Sequence, residues 1–199
     1  MKFPIRTAPG IALGIILLAA AVSVAHAMGY GGLTGAVLRV GELPAEFNNT
    51  ATRVYTKDVD YLRVKVRNGS TSGELTCQTP NKFVAGPYRQ AMMQGFGHTG
   101  LQLSDARVCS YLYATVSGAH KAFVGLSQSA VGDAKFYGSK LVPSRLGSES
   151  ALVAGKSLDE MVFRKDTYVA KYFYGDFSGL KMSRSSFAGL GSKLLSRLH

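Results

Sequence analysis

Histidine is the side chain best placed to move protons near neutral pH, and beyond residue 27 the chain holds three: His98, His120 and His199. His98 falls in Gly97-His98-Thr99-Gly100, which reads as a helix-to-strand turn with its ring in water. His120 falls in an expected hairpin turn, and His199 is the last residue. No two stand at a metal-ligand spacing such as HExxH, so neither a metal nor another cofactor is expected. Gly125-Leu126-Ser127-Gln128-Ser129 half-matches the elbow that carries a nucleophilic serine, but the closing glycine is missing. Asp159 and Glu160 are chain neighbours, which points them to different sides of either a helix or a strand rather than into one cleft as a paired acid and base. Asp58 and Asp60 read as solvated partners of Lys57 and Arg63. Gly189-Leu190-Gly191-Ser192-Lys193 lacks the spacing of a phosphate loop. No catalytic residue is assigned.

Three other groups carry more information. Arg63, Lys65 and Arg67 alternate with Leu62, Val64 and Val66, a period of two that predicts a strand with one apolar and one triply basic face. Like charges at every second position repel unless an anion or an acidic side chain lies opposite, so this row, with Arg53 and Lys57 nearby, is a candidate contact for an anionic partner. Lys193 and Arg197 are a second candidate. They flank the apolar stripe Phe187, Leu190, Leu194 and Leu198 of an amphipathic helix over 185–198, a pattern suited to its own sheet or to peripheral membrane contact. Cys77 and Cys109 are the two cysteines, an even number that predicts one disulfide in an oxidising compartment.

The elements needed to hold these residues follow from local pattern. A first strand is expected at 36–40, and Asn68-Gly69-Ser70 should turn the basic strand into a partner beginning at Gly73. Residues 83–96 read as a helix, with Pro87 in its first turn and Tyr88, Ala91, Met92 and Phe96 on one face. Residues 108–116 and 121–126 read as a hairpin, 133–155 as irregular, and 161–163 with 168–174 as a second strand pair. The expected fold is therefore α+β: an antiparallel sheet with one packed helix and a C-terminal amphipathic helix.

Residues 1–27 have the three parts of an export signal. Lys2 and Arg6 are the positive start, 11–25 is uncharged and largely apolar, and Ala25-His26-Ala27 offers small residues at the cleavage positions. Fifteen apolar residues fall short of the roughly 20 that span a bilayer. Cleavage would leave residues 28–199 as one extracytoplasmic domain, and losing Lys2 and Arg6 lowers the formal charge from +11 to +9. Outside the cytoplasm such a charge suits an anionic envelope component or an acidic protein face rather than nucleic acid. The expectation is a periplasmic or secreted, non-enzymatic binding or assembly protein acting through a basic surface. A small hydrolase of envelope polymers and a self-assembling structural subunit are the alternatives.

Overall fold

The computed structural model describes residues 32–45, 47–99, 104–176 and 182–198. The expected leader and His199 lie outside the described residues. Among the described residues nine strands and three α-helices are formed: β1 Phe47–Tyr55, β2 Tyr61–Asn68, β3 Thr71–Gln78, α1 Lys82–Ala85, β4 Tyr88–His98, β5 Ser104–Tyr113, α2 Val116–Phe136, β6 Lys140–Val142, β7 Glu149–Ala154, β8 Leu158–Lys165, β9 Tyr168–Asp176 and α3 Arg184–Ser196. Seven strands build one antiparallel sheet in the order β1-β4-β5-β9-β8-β7-β6, and β2 and β3 form a separate hairpin. The α+β expectation holds, with a packed helix and a C-terminal one.

Each face of the large sheet carries its own core. On one face Phe187, Leu190 and Leu194 of α3, with Leu198 just beyond it, pack in one core with Phe96, Met161, Tyr172 and Tyr174 and with Leu33, Ala36 and Leu38 of the leading segment. Burying side chains of this size is worth about 1.5–3 kcal/mol each. Ser183 caps the helix by accepting the Ser186 N–H, and the Tyr172 hydroxyl donates to the Phe187 carbonyl at 2.8 Å. The helix is thus seated on the sheet along the stripe the sequence displays. On the other face lie α2, through Ala119, Ala122, Leu126, Ala130 and Ala134, and the hairpin, through Leu62, Val64 and Val66.

Cys77 of β3 and Cys109 of β5 stand at disulfide-bonding distance, with Cα atoms 6.4 Å apart, and clamp the hairpin onto the sheet. The approach is close enough to dictate residues on β4. A Cβ on Gly95 would lie 2.6 Å from Val64 Cγ2, and one on Gly97 would strike the Arg67 carbonyl. Two glycines in a central strand are the condition for a second layer at this point.

Several local expectations are corrected. Residues 88–98 are not a helix but β4, and the real helix there is the four-residue α1, ended by Gly86 at φ 78°. A strand covered on both faces loses its alternation, and from Ala91 onward β4 is buried without a break. Its apolar run therefore mimicked a helical face. The expected hairpin keeps its first strand as β5, but its turn and return strand belong to α2. Thr115 caps that helix by accepting the Gly118 N–H. Its buried stripe is mostly alanine, too weakly apolar to announce a 3.6-residue period.

Residues 133–155 are not irregular throughout, since they hold the end of α2, β6 and β7. Residues 36–39 are no strand, and Val40–Glu42 is a 3-10 helix. Side-chain amides of β4 hold this segment instead: Gln94 accepts the Leu38 N–H at 2.8 Å and donates to the Leu38 carbonyl at 2.7 Å.

Candidate functional site

The alternation of β2 sends Leu62, Val64 and Val66 inward and leaves Arg63, Lys65 and Arg67 exposed. The edge of β2 away from β3 is held by two side chains of β1. The Tyr55 hydroxyl accepts the Arg63 N–H and donates to the Arg63 carbonyl, both at 2.7 Å. Asn49 donates to the Arg67 carbonyl at 2.8 Å and accepts its N–H at 3.3 Å. These brackets do the work of strand pairing without a strand, and they fix the basic row beside β1.

Between the two braces Arg53 of β1 joins Arg63 and Lys65 around a depression of about 330 Å³, with Glu74 as the acid among its lining residues. Glu74 faces Lys65 across the hairpin and binds Arg63 Nη1 at 2.8 Å. The Arg63 guanidinium also lies 5.6 Å from the Tyr61 ring, and that of Arg53 5.0 Å from the Tyr55 ring. Three cations against one carboxylate leave a local excess that water or a bound anion must meet. Asp58 and Asp60, expected to offset Lys57 and Arg63, do not do so. Among the described residues neither enters an ion pair.

The α3 cations have a different fate. Arg197 grips both carboxylate oxygens of Glu42, at 2.9 and 2.7 Å, and donates to the Val37 carbonyl. Lys193 adds a longer contact of 3.4 Å to Glu42. The Arg197 hydrogen bonds hold the Glu42 carboxyl down at about 2, against the opposing effect of burial. These residues pin the leading segment to the last helix. The apolar stripe that a membrane contact would use is packed into the core.

The structure gathers two further groups that the sequence reading missed. His120 lies in α2, not in a turn, and its Nδ1 is 2.9 and 3.0 Å from the Glu149 carboxylate oxygens. Glu149 also binds Arg164, and although burial opposes ionisation, the hydrogen bonds from His120 and Arg164 hold its carboxyl below the usual range. His98 closes β4 and is buried rather than solvated.

The second group lies where the hairpin and α2 part. There Arg107, Lys171 and Asp133 line a cleft of about 370 Å³. Glu160 sits behind Lys171, fully buried, with its oxygen 2.6 Å from the ammonium. No local motif marks this cluster, because its members come from β5, α2, β8 and β9. The one available signal was charge inside otherwise apolar strands.

Ser127 and Ser129 fall within α2, so the half-matched elbow has no strand-to-helix turn on which to expose a nucleophile. Gly189 to Lys193 likewise falls within α3. Among the described residues no group of three His, Cys, Asp or Glu side chains could hold a metal ion, and no helix is long and apolar enough to cross a membrane. Compared with protein-family models and with curated proteins, the chain matches none.

Proposed function

We propose that this is an exported, non-enzymatic envelope protein, periplasmic or secreted, that binds an anionic envelope component or an acidic protein face through the outer surface of the β2–β3 hairpin. The observation that supports this reading is the depression framed by Arg53, Arg63 and Lys65 with one opposing carboxylate, on a hairpin locked by Tyr55, Asn49 and the disulfide. Rigid presentation matters because immobilising long basic side chains and loops on binding costs affinity. The disulfide suits an oxidising compartment, in keeping with export.

The test is sedimentation of the mature protein with vesicles of anionic or neutral lipid and with acidic wall polymer, across a salt series. Binding to at least one anionic surface should weaken as salt rises. Replacing Arg63, Lys65 and Arg67 together by Ser should remove most of it and flatten that dependence. Full, salt-dependent binding by the folded triple variant would reject the hairpin as the contact.

A further inference from the structure

The sheet face beneath α2 and the hairpin is apolar over most of its area, yet at one end it carries the ionisable side chains of Arg107, Glu160 and Lys171, with Asp105 two residues before Arg107 on β5. Arg107, Phe173 and Glu160 are direct cross-strand neighbours on β5, β9 and β8, and Lys171 lies one pleat along β9, beside Cys109 and Val162. Folding does not ask for this. An apolar trio of similar volume would be as stable or more so, because charges taken from water regain their hydration only with excellent geometry. A charged end on an apolar face, opening into a cleft, is the arrangement expected of a ligand site.

The charges divide into one tight pair, Lys171–Glu160, and two looser contacts that leave Arg107 and Asp133 as hooks, Arg107–Asp105 at 3.3 Å and Asp133–Lys171 at 3.8 Å. Lys171 and Glu160 neutralise each other at 2.6 Å. The Glu160 side chain is wholly buried, its second oxygen has no donor among the described residues, and burial pushes its carboxyl up while Lys171 opposes that. Arg107 lies 4.5 Å from the Phe173 ring and meets Asp105 through a single Nη1 contact of 3.3 Å. A guanidinium has five N–H donors in a fork, so most remain for a carboxylate in the cleft.

Asp133 on α2 reaches Lys171 only at 3.8 Å, and its side chain is 49% exposed. Asp133, Arg107 and Lys171 all line the one cleft, so groups of opposite charge face the same space. The facing wall, residues 76–81, brings no charge. On the α2 wall Gly125 has nothing within 4 Å of where a Cβ would stand, so the space there is open.

We propose that this cleft binds a zwitterionic ligand of the amino-acid type, its carboxylate on Arg107 and its ammonium on Asp133. A ligand with only an anionic group brings its charge toward the Asp133 carboxylate, and one with only an ammonium brings its charge toward Arg107, a like-charge encounter in either case. A ligand with both satisfies each hook and leaves the Lys171–Glu160 pair intact. The cleft of about 370 Å³ has room for such a molecule.

Calorimetric titration of the mature protein with the common L-amino acids, one at a time, tests this, with acetate and methylammonium as single-charge probes. At least one amino acid should bind saturably at millimolar concentration or better, while neither single-charge probe does. Asp133→Asn sits on an exposed helix position and should fold normally. It should weaken binding about tenfold or more, the value of one charge-assisted hydrogen bond. Arg107→Lys keeps the charge but loses the fork and should weaken it likewise.

No binding by any amino acid, acetate binding as tightly as the best of them, or full affinity in Asp133→Asn would each overturn the assignment. The hairpin variant in Arg63, Lys65 and Arg67 should leave this titration unchanged, so failure here and failure of the hairpin reading are separable.

Discussion

The hairpin and the C-terminal helix are both basic segments, and they use their cations in opposite ways. On the hairpin Arg63 and Lys65, with Arg53 of β1, lie around one acid, Glu74, and Arg67 points outward opposite Ser72. At the end of α3, Lys193 and the C-cap residue Arg197 converge on Glu42 and close the leading segment over the core. A segment's positive charge therefore says little about availability. What decides is whether the fold delivers a carboxylate to the same point. A cation with a half-buried, bidentate partner is part of the structure, whereas one that shares an exposed partner is worth little to stability and stays open to contact.

The sharpest way to break this contrast is to show that α3 is not seated. Leu194 has no exposed surface and belongs to the core. Leu194→Ala should cost about 2–5 kcal/mol in urea unfolding, the range for emptying a packed leucine site. A cost near zero would mean that the helix leaves the sheet easily, and its cations would then rejoin the candidates for partner contact.

The hairpin depends on its clamp. With Cys77 and Cys109 separated by 32 residues, Cys109→Ser should lower stability by about 2–4 kcal/mol through the loosened unfolded chain. It should also weaken any binding by the basic row, because the row's position would no longer be enforced. Free labelling of both thiols in the non-reduced native protein would remove the clamp from the account.

Glu42 gives a smaller effect with a pH signature. Its carboxyl is lowered from 4.5 to about 2 in the folded protein. A depressed folded value means that its contribution is complete above the unfolded value and fades as pH falls from about 4.5 through about 2. Glu42→Gln should cost about 1–3 kcal/mol at neutral pH, as expected when a charged hydrogen-bond acceptor is lost. It should also flatten the stability profile within that acid window. Thermal unfolding at stepped pH reads both, and a parallel profile in the variant would show that Glu42 is not what binds α3 to the leading segment.

Least affected should be the hairpin surface itself. Each Ser replacement at Arg63, Lys65 and Arg67 should move stability by no more than about 0.5 kcal/mol, and chemical denaturation of the triple variant measures it. A large loss would place these cations in the structural class of Arg197 and undo the contrast.

The sequence by itself determined the parts governed by strong local periodicity. The two-residue alternation of 62–67 and the stripe of the last helix are legible because one face of each meets water and the other does not; the Asn68-Gly69 turn and the β8–β9 pair, buried on both faces, are legible from turn residues set between apolar runs. The cysteine count, in an expected oxidising compartment, was enough to pair Cys77 with Cys109.

Burial on both sides hid the rest. β4 lost its alternation between two cores, and α2 packs through alanines whose spacing carries little hydrophobic contrast. Only the tertiary structure decided that Arg53 stands beside Arg63, that Arg197 is consumed by Glu42, and that Arg107, Lys171, Glu160 and Asp133 meet at one cleft. Those encounters join residues from about ten to more than 150 positions apart. Charge and hydropathy along a chain report how each residue meets water, but not which distant residue the fold will set against it.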